Sequence, residues 1–321
     1  MPFVITDCVT SASGRINEDR AGAAHESAAA ENPPMPCASS GKRSWGRMMI
    51  KGMIWIAMLA VGFYTAACLG LYVFQRRLLY FPDPVRYTPR QAGLAGVEEI
   101  SLATPDGERL VAWYKPASAP APVLLYFHGN GGGLYLRRER IEALAGAGYG
   151  LLIPAYRGYS GSTGRATKKA LVADGLLAYD YLKAQGVAPD RIVLYGESLG
   201  TGIASQVASE RQASAVILEA PYSSVAAEAR AHFGIFPIGW LLLDRFESVA
   251  HIGRIDAPLL IMHGSLDSVI SASSSHALFD AANEPKEYVE FQRGGHNDLF
   301  DFGALEHIRL FLTKHLLSGS R

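Results

Sequence analysis

The chain has 321 residues, 49% of them hydrophobic and 19% charged, with 30 basic and 30 acidic side chains. That length suits one large domain or two small ones with a substantial core. The balanced charge gives none of the basic excess that nucleic-acid binding draws on, so no nucleic-acid partner is expected. The three cysteines, Cys8, Cys37 and Cys68, all precede the expected folded domain. They supply neither a disulfide framework nor a CxxC knuckle, and no HExxH motif points to zinc.

Residues 1–47 read in one of two ways. The run "HESAAAENPPMPCASSGKRS" is rich in Ala, Ser, Pro and charge with no apolar face to bury, which is a disordered composition. Alternatively "MMIKGMIW" at 48–55 is the natural chain start, and what precedes it is a mis-assigned extension. An anchor helix is expected over 50–75. Its stretch 52–74 carries no charged residue, and at about 1.5 Å per residue it reaches roughly 35 Å, against a hydrocarbon core of about 30 Å. Lys51 bounds it on one side and Arg76 and Arg77 on the other, so the flanks choose no orientation in the bilayer. A cleaved signal is the rival reading, because Thr65-Ala66-Ala67-Cys68 loosely resembles a lipoprotein site. Thr65 stands where an aliphatic residue belongs, and apolar sequence follows Cys68, so the uncleaved anchor is preferred.

From about residue 80 to 318 the pattern is that of one α/β domain. Strands are expected at 97–104, 109–116, 123–128, 149–155, 191–196, 215–220, 258–264 and 287–292, the first two as a hairpin around Asp106-Gly107. The other six are nearly continuous apolar runs, as parallel strands covered on both faces require. Helical patterns fall between them near 134–146, 167–185, 199–210, 271–282 and 299–317.

The stretch Gly196-Glu197-Ser198-Leu199-Gly200 is a G-x-S-x-G pattern between a strand and an alanine-rich helix. A serine there becomes a nucleophile only when a base takes its proton and a third group fixes the base. Hydrolases of this architecture present the three in the chain order Ser, acid, His, and ligands bind beyond the carboxyl ends of parallel strands. Asp267 in "HGSLDSV" and His296 in "RGGHND" follow successive strands in that order. Ser198, Asp267 and His296 are therefore the expected triad, with Glu219 at the end of 215–220 the alternative acid. His128 and His263 close strands and are read as loop supports, and Asp298 as a brace for the loop of His296. The glycine-rich "YFHGNGGG" (126–133) suits an oxyanion hole, with the backbone N–H groups of Asn130 and Leu199 as donors. It lacks the Gly-Lys-Ser/Thr of a phosphate loop and the third glycine of a dinucleotide fingerprint.

Together "HGNGGG", "YRGYSGSTG" (156–164), "GESLG", "LEAPYSS" (218–224), "HGSLDSV" and "GGHND" resemble an α/β-hydrolase of a small, membrane-anchored branch. That branch is related to protein depalmitoylases and similar to serine aminopeptidase-like hydrolases, and the leader "FQRRLLYFPDP" (74–84) is typical of it. The resemblance covers about residues 70–318. It implies an eight-stranded, mostly parallel sheet with helices on both faces and a small cap, behind one transmembrane helix. Ala155 departs from the acidic or polar residue that relatives often carry there, which leaves Arg157 as a surface or loop-bracing residue. The implied activity is hydrolysis of acyl esters or thioesters, small or lipidated, with no cofactor and no metal. A serine peptidase is the alternative, and a non-catalytic tethered binding module the reading from another class. The cap is expected at 225–256, where the aromatic and aliphatic crowding between Phe233 and Phe246 places Phe236 and Trp240 on the substrate pocket or facing the bilayer.

Overall fold

The computed structural model describes residues 41–317; the reading of residues 1–40 lies outside them. The chain divides into two compact units, one ending at Leu59 and one running from Ala60. One helix, α1 (Gly41–Leu79), passes through the boundary. Among the described residues it is the helix long and apolar enough to cross a membrane. It extends beyond the expected 50–75 at both ends and takes in residues 41–47, which composition had assigned to the extension. No proline or glycine pair interrupts those residues, and a helix already nucleated propagates through polar sequence at little cost.

The second unit is built on an eight-stranded sheet. Its strands are β2 (Glu98–Ala103), β3 (Arg109–Lys115), β4 (Val123–Phe127), β6 (Gly150–Pro154), β7 (Ile192–Glu197), β8 (Ala215–Glu219), β9 (Leu259–Gly264) and β10 (Lys286–Phe291). The spatial order is β10-β9-β8-β7-β4-β6-β3-β2. β2 and β3 pair antiparallel, as does β3 with β6, and every other pairing is parallel. The central strands β4, β6, β7, β8 and β9 are buried at every residue. Helices on both faces therefore favour apolar side chains at consecutive positions rather than at alternate ones, the exceptions being Glu197, Glu219 and His263 near the carboxyl ends of β7, β8 and β9.

A second, two-stranded ladder joins β1 (Phe81–Pro82) to β5 (Gly131–Gly132). The helices α2 (Arg138–Gly146), α3 (Lys168–Ala184), α4 (Leu199–Ala208), α8 (Ala272–Asp280) and α9 (Ala304–Leu312) fall in the five windows that periodicity marks. The region after β8 folds into three short helices, α5 (Val225–Phe233), α6 (Ile238–Leu241) and α7 (Val249–Ile252). Arg157 is buried and forks between two carboxylates, with Nε 2.8 Å from Asp174 and Nη1 2.6 Å from Asp106. It braces the β2–β3 turn against α3.

Candidate active site

The reactive geometry begins with two glycines. A Cβ at Gly196 would come within 2.6 Å of Thr201 Cα, and one at Gly200 would overlap the Phe127 carbonyl. Only hydrogen fits at either place, so β7 can turn directly into α4 against β4. Ser198 occupies the turn at φ 48° and ψ −113°. That conformation costs a non-glycine residue about 1–3 kcal/mol and aims its side chain outward from the sheet.

Ser198 Oγ lies 2.9 Å from His296 Nε2, and His296 Nδ1 lies 2.7 Å from Asp267 Oδ2. The other Asp267 oxygen accepts the backbone N–H groups of Val269 at 2.8 Å and Ile270 at 2.9 Å. Burial alone would favour the neutral acid, but the His296 bond and these two N–H donors outweigh it and hold Asp267 below the usual carboxylate range. An ionised Asp267 fixes the Nδ1–H tautomer of His296, leaving Nε2 free to accept the serine proton.

The structure thus brings together the three residues that sequence order selects, and it separates their rivals. Glu219 is fully buried, and its Oε2 is taken by Tyr195 and Arg140. Asp298 accepts the Gly295 N–H at 2.6 Å and braces the loop that carries His296. His263 donates from Nδ1 to Ser275 Oγ at 2.8 Å, since that hydroxyl itself donates to Pro221 O. His128 donates to the Gly129 carbonyl at 2.8 Å and stacks on Tyr156 at 3.9 Å. Burial depresses both rings, His128 to about 3.

Beneath the elbow lies a charge network that sequence reasoning missed. Glu197 accepts from Tyr126 and from Arg137, whose Nη2 is 3.3 Å away, while Arg140 reaches Glu219. Glu197 is buried against the field of Arg140 and Arg137, and these two guanidinium groups keep it ionised. The signal was two arginines three residues apart at the start of α2, a spacing that puts both on one helical face.

Ser198 and His296 open into a cavity of about 1150 Å³. Asn130 and Leu199 line it beside them, and Leu199 starts α4, whose first-turn N–H groups lack intrahelical acceptors. The cap contributes Phe233, Ile238, Leu241 and Leu242 to its wall. The helix α1 contributes Leu71, Gln75, Leu78 and Leu79, which sequence reasoning did not place there. Phe236 and Trp240, expected on the pocket or facing the bilayer, are not on this wall. Phe236 stacks on Tyr64 of α1 at 5.8 Å, and Trp240 is 91% exposed. Crowding of aromatics marked the right segment, but Phe236, ahead of α6, packs on α1 and Trp240 of α6 faces outward, while Ile238 and Leu241 of α6 line the cavity.

Comparison with known proteins agrees with this architecture. The sequence model of the alpha/beta hydrolase fold matches residues 122–240. The uncharacterized protein MT2364 of Mycobacterium tuberculosis is 36% identical over 270 residues, spanning 82% of this chain and 95% of its own. The lysophosphatidylserine lipase ABHD12 of Danio rerio is 31% identical over 195 residues, spanning 54% of this chain and 51% of its own. The esterase Pf2001 of Pyrococcus furiosus shares the fold at 18% identity, with a TM-score of 0.60 over 74% of this chain and 98% of its own.

Proposed function

Because the chain belongs to the alpha/beta hydrolase fold family and is a hydrolase, we propose that it is a membrane-anchored serine hydrolase that cleaves acyl esters or thioesters. The observation that carries this reading is the unbroken relay Ser198–His296–Asp267, with both links between 2.7 and 2.9 Å, at the floor of a largely apolar cavity.

In this mechanism Ser198 Oγ attacks the carbonyl carbon as His296 Nε2 takes its proton. Asp267 stabilises the imidazolium without itself being protonated. The carbonyl oxygen becomes an oxyanion held by the backbone N–H groups of Asn130 and Leu199, each contributing about 3–4 kcal/mol in the transition state. Collapse expels the alcohol or thiol, which leaves with the proton from His296. Water then enters and attacks the acyl carbon as His296 takes one of its protons. The second oxyanion collapses, the bond to Ser198 Oγ breaks, and His296 returns the proton to that oxygen as the free acid leaves.

The cavity favours an amphiphile. Its volume of about 1150 Å³ lies just above the ~300–1,000 Å³ usual for small-molecule sites, and leucine is its commonest lining residue. Each buried CH₂ contributes about 0.8 kcal/mol, so medium or long acyl chains should exceed acetyl. The ABHD12 relative is named for a single-chain lipid, which supports a lipid substrate here. Since α1 forms one wall, we place substrate entry on the membrane side.

The test is active-site labelling of the full-length protein with a fluorophosphonate, followed by acyl p-nitrophenyl esters and aminoacyl anilides. Labelling and ester turnover, both abolished in Ser198→Ala, are the expected result. Preferential anilide turnover would replace the esterase reading with a peptidase, and an unlabelled wild type would refute nucleophilic catalysis.

A further inference from the structure

The loop offered as the oxyanion hole is nearly all glycine. Between His128 and Leu134 the sequence is Gly-Asn-Gly-Gly-Gly, so Asn130 is the one residue there with a side chain to hold. Oxyanion donors stabilise a transition state only when fixed beforehand, and a glycine run is the least rigid backbone available. Something outside the loop has to fix it.

One side of that support is the chain as it leaves α1. Asn130 Nδ2 donates to the Leu79 carbonyl, and Asn130 Oδ1 accepts from the Tyr159 hydroxyl at 3.2 Å. The same hydroxyl accepts the Phe81 N–H at 3.1 Å. One amide, one phenol and two backbone groups of the exit segment close a ring in which each hydroxyl or amide function has a partner. Phe81 then runs opposite Gly131, and Pro82 opposite Gly132, in the parallel ladder of β1 and β5. Tyr159 is fully buried, and burial raises its hydroxyl above the ordinary tyrosine range, so it stays protonated as this ring requires. Next along, Asp83 O accepts the Ser160 N–H at 2.8 Å, and the Ser160 hydroxyl accepts the Leu134 N–H at 2.9 Å. From the domain side the loop is held by Arg137, which donates to Gly131 O at 2.6 Å, and by Tyr156, which donates to His128 O at 2.6 Å.

We propose that the exit segment Leu79–Pro82 is a positioning element of the reaction, which through Asn130 and Tyr159 sets the oxyanion loop against Ser198. The proposal rests on the reading of Asn130 as an oxyanion donor. It makes the end of the anchor helix part of the catalytic architecture rather than a leash. Neither Tyr159 nor Leu79 touches the reacting atoms; both act through the loop.

The experiment uses full-length protein in detergent micelles with p-nitrophenyl butyrate. Tyr159→Phe removes only the shared hydroxyl, and Asn130→Ala removes the side chain while keeping the backbone N–H. Each should lower kcat about ten-fold with KM within two-fold, and fluorophosphonate labelling should slow in parallel, because small displacements of a catalytic group are costly. The double variant should be no slower than the slower single one, since both break the same ring. Multiplicative losses would overturn the proposal. So would an unchanged kcat in Tyr159→Phe, or a loss confined to melting temperature. A wild type that turns over ester while Ser198→Ala does not keeps the hydrolase reading separate from this outcome. A wild type that neither turns over nor labels overturns both.

Discussion

Asp267→Asn and Glu219→Gln should fail in opposite ways. In Asp267→Asn the two backbone donors, Val269 and Ile270, still need an acceptor, so the amide oxygen takes the place of Oδ1. That turns Nδ2 toward His296 Nδ1, now 2.7 Å from Oδ2. Two donors cannot face each other, so the ring adopts the Nε2–H tautomer and can no longer accept the Ser198 proton. The expected loss in kcat is about 10⁴, with little change in stability because the loop bonds survive. Glu219→Gln leaves the relay untouched but removes the carboxylate that faces Arg140, whose side chain is only 10% exposed. Breaking a buried pair costs about 3–5 kcal/mol. The nearby Glu197 also favours the charged Arg140, which puts the expected cost at about 3 kcal/mol. At about 2–4 °C per kcal/mol for a domain of this size, the melting temperature should fall by roughly 6–12 °C. Ester turnover well below the melting temperature, paired with thermal denaturation in detergent, measures both. A Glu219→Gln enzyme less active than Asp267→Asn would refute the assignment of the acid.

Octanoyl p-nitrophenyl ester should exceed acetyl in kcat/KM by at least about ten-fold, given ~0.8 kcal/mol per buried CH₂; Leu71→Trp should erase that preference without harming acetyl turnover, and equal values in the wild type would remove the basis for an acyl cavity. His128 is held neutral at about 3, below its ordinary 6.5, so the unfolded chain binds the proton first and stability falls as pH drops from about 6.5 toward 3. Between pH 7 and 5 this amounts to about 2 kcal/mol, so the melting temperature of His128→Asn should depend less steeply on pH than that of the wild type, while His263, also depressed by burial, contributes in the same direction in both. Ala60→Arg places a charge inside the uncharged stretch of α1 and should weaken insertion by about 2.5–3.5 kcal/mol; carbonate extraction of the variant but not of the wild type is the expected result, and a wild type released by carbonate would refute the anchor.

Strands covered on both faces are legible because burial selects apolar residues along them, and the five central strands were read from such runs; β2 and β3 were read from the turn at Asp106-Gly107 between them, and β10 is only partly buried. The residues of the proposed triad were legible because a serine between two obligatory glycines, an acid and a histidine each follow a strand in a fixed order. The α1 wall of the cavity was not legible. Leu71, Gln75, Leu78 and Leu79 fall at i, i+4, i+7 and i+8, the spacing of one helical face. In a helix apolar all round, however, that stripe has no polar background to stand out from. The β1–β5 ladder was hidden for a different reason. Two residues paired with two glycines carry no periodicity, and only the fold brings Phe81 beside Gly131. In the cap, residue type alone could not say which aromatic faces inward, because α6 and α7 have four residues each, too few to set a hydrophobic period.

The contacts of α1 also constrain how the cavity can open. Gln75 spans the cap with both ends of its amide, Nε2 donating to Leu241 O at 3.1 Å and Oε1 accepting the Leu243 N–H at 2.7 Å. Arg76 Nε pairs with Asp244 at 3.0 Å, and the other Asp244 oxygen caps α3 through the Lys168 N–H at 3.1 Å. The Arg76 side chain is 47% exposed while that of Asp244 is 6% exposed, so the carboxylate is the shielded partner and the Lys168 bond anchors it when the arginine lets go. A cap that swung away from the sheet would have to break the Gln75 bonds, or carry the last turns of the helix with it. Those same turns end at Leu79, whose carbonyl holds Asn130. Opening the cavity by moving the helix would therefore loosen the oxyanion loop, whereas opening it by breaking the Gln75 bonds would leave the loop in place. On the proposed oxyanion role of Asn130, only the second route leaves the loop set while the cap moves, and it must also release the Tyr64 hydroxyl from the Ile235 carbonyl and Arg76 from Asp244.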